Sequence, residues 1–239
     1  MSALSACEET VRRGDPDRYF SALFAPADKR PFLYALYALN VELARVAETA
    51  REPMLAEIRL AWWRETVEGA RAGKPRNHDL ARALAETLAA NDLPQALFER
   101  MIAARAFDAS PESFADMAAL EEYADATSGS VMRLAARVLG EALDDLAREA
   151  GIAVALAGLL RSAPFHAARG KRFMSEALFG EAAHAARSHF ETARRIAVPR
   201  HSLPAFLPAA LVPLYLRRND PPLWRRQLVF LRAAISGRL

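Results

Sequence analysis

Residues 159–171, with the sequence LLRSAPFHAARGK, combine an arginine, a histidine and a basic loop. Arg161 follows ten residues without a charged side chain, which is typical of a buried helix. A buried helix seldom ends on arginine unless the guanidinium meets an anion or a carboxylate. The pattern therefore predicts an anion-binding site around Arg161. The alternative is an internal ion pair of Arg161 with Glu42 or Glu57, in which His166 is only hydrogen-bonded.

Carboxylates and histidines elsewhere in the chain are a weak basis for a metal site. Two carboxylate clusters could hold a divalent cation, but acidic groups on an exposed helix face are commoner. The clusters are Asp144 with Asp145 and Glu149, and Glu121 with Glu122 and Asp125. His184 and His189 are five residues apart and do not share a helix face. The sequence also has no dinucleotide fingerprint, phosphate loop or paired-histidine zinc motif, so we expect no bound metal.

Helices must position these residues. The chain has 239 residues, of which 52% are hydrophobic and 26% charged, with few glycines, so packed helices are predicted and disorder is excluded. Apolar residues recur at helical spacing along most of the sequence. The predicted helices cover about 29–50, Pro53 to the turn at 73–75, 80–88, a segment from Pro94, 114–139 with a kink or close backbone approach at 128–130, 143–160 stopped by Pro164, 181–197, and Asp220 to Ile235.

Four segments, taken in order, resemble the squalene/phytoene synthase family of head-to-head prenyltransferases. They are Tyr34-Ala35-Leu36-Tyr37-Ala38-Leu39, Trp62-Trp63-Arg64, Tyr123 with Ser128-Gly129, and residues 159–171. The resemblance implies an all-α, single-domain helical bundle over 1–239, of the isoprenoid synthase type, with a central cavity. In that family, two aspartate-rich helical motifs hold magnesium ions against a prenyl diphosphate.

This sequence departs from the family pattern where those aspartates would stand. The first motif face carries Ala44, Arg45 and Glu48, and the second carries Ser162, Phe165 and His166. Magnesium is usually held by carboxylates and substrate phosphates, and one glutamate among basic groups has the wrong charge to collect several such ions. We therefore expect no catalytic residues, no cofactor and no prenyl transfer. Glu42, Arg45 and Glu48 would instead form ion pairs along one helix.

Six residues are candidates for binding a diphosphate or another anion. Arg169 and Lys171 match the basic segment of the family, and Tyr123 matches its tyrosine. The full set is Arg161, His166, Arg169, Lys171, Arg172 and Tyr123.

A narrower resemblance concerns the complex I assembly factor branch of the same superfamily, which also lacks the aspartate motifs. It rests on residues 40–44, NVELA, and residues 160–166, LRSAPFH. It implies a non-catalytic role in the biogenesis of respiratory NADH:quinone oxidoreductase, with complex I subunits, a membrane surface or an isoprenoid lipid as partners. One alternative is an active head-to-head synthase that uses rearranged carboxylates such as Glu42, Glu48, Glu57 and Asp125, with Mg²⁺ as its cofactor. Another is a module that binds an intact isoprenoid or lipid.

The C-terminal part, from about residue 199, is basic and apolar. Residues 187–239 hold 10 basic and 2 acidic side chains, which suits either an anionic membrane surface or core helices with a solvated arginine side. Aromatic residues are not interleaved with the basic ones, so we expect no nucleic acid partner. The uncharged stretch 201–216 contains three prolines and is too short to span a bilayer. With the single Cys7 and no leader sequence, these features predict a cytoplasmic protein, or one peripheral on the inner membrane.

Overall fold

All the regular structure in residues 3–50, 52–218 and 220–239, the part of the chain that the computed structural model describes, is helical. The Leu4 side chain is not described. The helices are α1 Ala3–Gly14, α2 Pro16–Ala22, α3 Arg30–Thr49, α4 Pro53–Arg71, α5 Asp79–Ala90, α6 Gln95–Ala104, α7 Ala106–Ala109, α8 Met117–Ala124, α9 Ser130–Val138, α10 Asp144–Ala167, α11 Glu176–Ala193, α12 Val212–Tyr215 and α13 Leu223–Ser236. The predicted all-α fold is confirmed.

Helix α3 is the centre of the first half of the bundle. Pro31 lies in its first turn, and its observed range agrees with the predicted 29–50. Residues 33–41 are buried on every side because α1, α5 and α9 all pack against this helix. Helix α4 begins at Pro53, as predicted, and proline suits this position because a first-turn N–H has no partner within a helix.

The predicted close approach at residues 128–130 is present as a π-helical segment, Asp125–Gly129, between α8 and α9. A Cβ added at Gly151 of α10 would lie 2.4 Å from the Cα of Gly129. Such a distance is far below van der Waals contact, so the two backbones cross at a point where residue 151 must be glycine. The π segment and α10 thereby form one wall of the bundle.

Helix α10 does not stop at Pro164, contrary to the prediction. It continues to Ala167, with Pro164 in its last full turn. Residues beyond the helix stabilise its final turn. The His166 ring packs against the Phe173 ring, with 5.0 Å between the ring centres, and the His166 carbonyl accepts hydrogen bonds from the backbone N–H groups of Arg169 and Lys171. Gly170, at φ +81°, then reverses the chain.

The same helix bears on the expectation that no segment spans a membrane. By length and composition, Asp144–Ala167 is apolar enough to cross a bilayer. It packs against α9 and α11 and buries the side chains of Leu146, Ile152 and Leu156, as the core helix of a bundle does.

Besides the end of α10, the predicted starts of two helices were wrong. Helix α11 begins at Glu176, five residues before the predicted start, because the Ser175 side chain caps it by accepting from the N–H of Leu178. The last helix begins at Leu223, with Pro222 as its N-cap instead of Asp220.

The proline-rich stretch after residue 199 folds onto the bundle. Two short 3-10 segments, Leu203–Ala205 and Leu207–Leu211, lead into α12. Leu203, Phe206 and Leu207 are buried, so this part of the basic, apolar end is core. Helix α13 packs on the second of these segments and completes a third, smaller hydrophobic cluster.

Candidate functional site

A cavity of about 340 Å³ lies inside the bundle. Its walls come from the start of α2, the middle of α3, the junction of α6 and α7, the π segment and the second half of α10, and α12 and α13 close one side. This volume is at the lower end of the range of roughly 300–1,000 Å³ for ligand pockets.

The helix faces that the resemblance matches to the two aspartate motifs both contribute to this cavity. On α3, Asn40, Ala44 and Glu48 line it at intervals of four residues, so they share one face of the helix. From α10, Ser162 and His166 line it.

Two other residues of those faces point elsewhere. The Arg45 guanidinium lies 3.4 Å from a Glu42 carboxylate oxygen, which confirms one of the predicted ion pairs along α3. The predicted pair of Arg45 with Glu48 is not among the ion pairs of the described residues, so that part of the prediction was wrong. Phe165 is half-exposed, and the Arg169 guanidinium lies 3.6 Å from the centre of its ring.

Arg105 is a largely buried cation in the cavity wall, with a side chain that is 14% exposed. Its Nη1 donates to Asp108 at 3.0 Å and to the Tyr123 hydroxyl at 2.9 Å, and its Nη2 donates to Asn40 at 3.2 Å. The Tyr123 hydroxyl in turn donates to Asp108 at 2.5 Å. Burial opposes the charge of Arg105, but Tyr123 and Asp108 outweigh it and leave the arginine pKa raised. Burial also raises the pKa of Tyr123, so its hydroxyl keeps its proton.

Two further arginine–aspartate pairs line the same cavity. Arg18 donates to Asp15 at 2.6 Å and to the hydroxyl of Ser128, in the π segment, at 3.0 Å. Arg226, on α13, donates to Asp17 at 2.8 Å, and the Tyr215 hydroxyl donates to the other oxygen of Asp17. Both aspartates stand at the start of α2, where Asp15 is also the N-cap.

The described lining is therefore balanced in charge, and it is not the ring of basic groups that the sequence suggested. It contains four carboxylates, Asp15, Asp17, Glu48 and Asp108, and four guanidinium groups, Arg18, Arg105, Arg161 and Arg226. Three of those carboxylates form the ion pairs described above. Glu48 is exposed at the rim, and within residues 3–50, 52–218 and 220–239 no arginine or lysine pairs with it.

Three of the six candidate anion-binding residues reach the cavity: Arg161, His166 and Tyr123. Arg161 is exposed and does not pair with Glu42 or Glu57. Its guanidinium instead lies 4.3 Å from the centre of the Tyr215 ring.

The other three candidates lie outside the cavity lining. The Lys171 ammonium donates to the backbone carbonyls of Phe107, Ser110 and Glu112 at 3.1, 2.5 and 2.7 Å. It therefore anchors the loop after α7. Arg169 and Arg172 are exposed on the turn after α10.

His166 adds little positive charge to the cavity. Burial lowers its pKa below the ordinary 6.5, while the carboxylates of Asp108 and Glu48 act in the opposite direction. The ring is therefore mainly neutral at neutral pH and can donate one hydrogen bond and accept another.

The described residues do not fit a magnesium cluster as they are arranged. No group of three or more His, Cys, Asp or Glu side chains among them is placed to hold a metal ion. Asp125, which the sequence placed on an exposed face, is buried and accepts from Arg100 at 2.8 Å and Arg133 at 2.7 Å. A Glu149 carboxylate oxygen lies 2.6 Å from Nδ1 of His189. In both clusters most of the carboxylates pair with arginines of the chain itself, and Asp145 is exposed.

Sequence reasoning missed most of the paired groups, namely Asp15, Asp17, Arg18, Arg105, Asp108 and Arg226. The three-residue spacing of Arg105 and Asp108, and of Asp15 and Arg18, is a local signal for helical ion pairs. The Arg226 pair carries no such signal, since its partners are 209 residues apart.

Comparisons with known proteins agree on one fold. A dehydrosqualene synthase in complex with a ligand superposes with a TM-score of 0.79 at 18% identity, covering 98% of this chain and 96% of that one. Squalene synthase HpnC from Alicyclobacillus acidocaldarius superposes with a TM-score of 0.73 at 21% identity, covering 98% and 94%. The fold is thus of the isoprenoid synthase type.

Curated relatives are similar over a long common segment. "NADH dehydrogenase (ubiquinone) complex I, assembly factor 6" is 29% identical over 171 residues in Homo sapiens and 30% identical over 171 residues in Mus musculus. Each match covers 70% of this chain and 51% of the relative, so the chain spans about half the length of the curated relatives it matches. The sequence model of the squalene/phytoene synthase family matches residues 11–181, and this chain belongs to that family.

Proposed function

We propose that this protein is an assembly factor for respiratory complex I, built on a prenyl-synthase fold and acting in the cytoplasm at the inner membrane. The observation that carries the proposal is the long match to relatives named complex I assembly factor 6, from Homo sapiens to Drosophila melanogaster. The family match, residues 11–181, includes most of the residues that line the cavity.

The pairing of charges in the cavity supports a role without magnesium-dependent turnover. A magnesium cluster needs several carboxylate oxygens free to coordinate it. Asp15, Asp17 and Asp108 each accept hydrogen bonds from an arginine, which leaves Glu48 as the described cavity carboxylate without such a partner. Recruiting the ions would mean breaking these largely buried ion pairs, at a cost of about 2–5 kcal/mol for each pair.

The arrangement also argues against an active synthase with rearranged carboxylates. That alternative needs Glu42, Glu48, Glu57 and Asp125 to converge. Of these four, only Glu48 lines the cavity. Glu42 pairs with Arg45, Asp125 lies between two arginines, and Glu57 is exposed on α4.

A second candidate function is the binding of an intact isoprenoid or lipid. The favouring observation is the cavity itself, whose α10 wall presents the apolar side chains of Val154, Ala157 and Leu159. Binding to the folded state alone would raise the melting temperature. Stabilisation by farnesol or by a short-chain quinone would support this function, and unchanged melting with both would remove it.

The assembly role is tested by deleting the gene in its source organism. We expect less assembled NADH:quinone oxidoreductase on native gels and lower NADH:quinone activity in membranes, with succinate:quinone activity unchanged as the internal control. Wild-type and Glu48→Gln proteins should both restore assembly, because the proposed role does not use that carboxylate to hold a metal. Normal complex I in the deletion strain would overturn the proposal.

A matched assay in vitro addresses turnover. The purified protein, with farnesyl diphosphate and Mg²⁺, should release no more pyrophosphate than the same sample with chelator. Chelator-sensitive release that Glu48→Gln abolishes would instead establish an active prenyl-diphosphate enzyme.

A further inference from the structure

Helix α13 presents an apolar stripe away from the rest of the protein. Its inner face buries Phe230 and Ala233 against the 3-10 segment Leu207–Leu211. The opposite face exposes four large apolar side chains: Trp224 at 58%, Leu228 at 37%, Leu231 at 48% and Ile235 at 69%. Spacings of four, three and four residues place these four side chains, the α13 stripe, along one line of the helix. A surface helix normally exposes polar residues, so the stripe indicates a binding surface.

Positive charge lies along one side of the α13 stripe, where helical spacing places Arg225 and Arg232. Residues 221–239 contain four arginines and no aspartate or glutamate. Arg217, Arg218 and Arg232 are exposed, and no carboxylate pairs with them within the described parts of the chain. The Arg225 guanidinium lies 5.1 Å from the centre of the Trp224 ring, at one end of the stripe. The surface is thus an apolar stripe with arginines along one side.

We propose that the α13 stripe binds the surface of an anionic lipid bilayer, with α13 lying in the plane of the interface. Apolar side chains with tryptophan on one face and arginines beside them are the pattern of interfacial helices. Anionic headgroups complement the arginines, and acyl chains accept Trp224 and Leu231. A second copy of the chain fits poorly, because pairing two stripes would bring arginines together and α13 has no acidic group to offset them.

The inference deepens the location given in the proposed function, and it does not depend on complex I. Helix α13 lies beyond residue 181, where the family match ends. Bilayer binding with normal complex I in the deletion strain would refute the assembly role alone. Failure to bind vesicles beside a clear assembly defect would refute the membrane surface alone.

The test is flotation of the full chain with vesicles of phosphatidylglycerol and phosphatidylcholine in equal parts, compared with phosphatidylcholine alone. We expect binding to the anionic vesicles only, weakened by high salt because screening acts on the arginines. Trp224 should also move into the interface, so its fluorescence should shift to the blue and be quenched by brominated acyl chains. Trp224→Phe should remove that shift, although Trp62 and Trp63 remain.

Matched variants distinguish binding through the α13 stripe from nonspecific binding of exposed apolar or basic side chains. Leu231→Ser/Ile235→Ser should reduce binding at least tenfold, whereas Leu55→Ser/Ile58→Ser, at comparably exposed sites on α4, should leave it unchanged. Arg217→Gln/Arg232→Gln should weaken binding by roughly fivefold per arginine, and Arg64→Gln/Arg187→Gln should do so much less. Equal binding by the stripe variant and its control would overturn the proposal. So would a stripe-dependent dimer in sedimentation equilibrium without vesicle binding, since the occupant would then be a second copy.

Discussion

The cavity and the α13 stripe distribute polarity in opposite ways. The cavity holds charged groups such as Arg105 and Asp108 inside the bundle, whereas α13 holds Leu231 and Ile235 outside it. Burying charges costs desolvation, and exposing apolar groups forgoes the free energy of burial. Neither arrangement is what folding alone would favour. The two regions therefore mark where a requirement other than stability has shaped the sequence.

Breaking the buried pair in the cavity should have the largest effect on stability. Arg105→Met removes the positive charge that the Asp108 carboxylate and the Tyr123 hydroxyl share as a hydrogen-bond donor. The side chains of Arg105 and Asp108 are only 14% and 8% exposed, so the remaining carboxylate charge stays buried. We expect a loss of about 3–5 kcal/mol in the free energy of unfolding, measured with urea. Removing both charges, in Arg105→Met/Asp108→Asn, should recover part of the loss.

The exposed pair of Arg82 with Asp79 is the matched control for that experiment. Arg82→Met should change the free energy of unfolding by less than about 1 kcal/mol, because water screens the pair. Equal effects of the two substitutions would show that the cavity pair is no more costly to break than a surface pair.

Arg226 belongs to both regions, since it lies on α13 and pairs with Asp17 in the cavity wall. Arg226→Met should cost about 2 kcal/mol, the range for hydrogen bonds to charged groups. The loss of stability should be concentrated in α13. Amide hydrogen exchange should therefore become faster in α13, with a smaller change in α3. Arg225→Met, at the neighbouring position, should leave exchange in α13 unchanged, and uniform acceleration in all helices would contradict the local role.

The helices of the fold were easier to predict from the sequence than the residues of the cavity. Helices α3 and α4 could be predicted because apolar spacing and first-turn prolines are local signals. The end of α10 could not, because the contact of His166 with Phe173 keeps the helix intact past Pro164 and involves residues beyond the helix.

For the site, resemblance to the family identified Ala44, Glu48, Ser162 and His166, which do line one cavity. The aspartates and arginines that pair with one another in the cavity wall were harder to predict from the sequence. The Asp17 pair joins α2 to α13 across nearly the whole chain, and only the tertiary fold brings them together.

Truncating the α13 stripe should have a much smaller effect than any change to the cavity. Leu231→Ser/Ile235→Ser removes side chains that contact little of the protein, so we expect the free energy of unfolding to change by about 0.5 kcal/mol or less. Phe230→Ala, on the buried face of the same helix, should cost about 3–5 kcal/mol. A large loss in the stripe variant would mean that the stripe is packed within the protein in solution.

The smallest effect concerns pH. Burial lowers the pKa of His166, so the unfolded chain takes up a proton there more readily than the folded chain. The contribution of His166 to stability is therefore complete above about pH 6.5 and is lost as the pH falls below it. His166→Asn should flatten that part of the curve of unfolding free energy against pH, and His184→Asn, at an exposed histidine, should not. Identical slopes for wild type and His166→Asn would contradict the burial of this ring.

The Arg226–Asp17 pair joins α13, which carries the exposed apolar stripe, to the start of α2 in the cavity wall. We expect a ligand that draws Asp17 away from Arg226 to loosen the packing of α13, and a surface that displaces α13 to change the affinity of the cavity for that ligand. Linkage makes the two influences equal in free energy. Through this ion pair, binding at the exposed face of α13 and binding in the cavity should each change the affinity of the other.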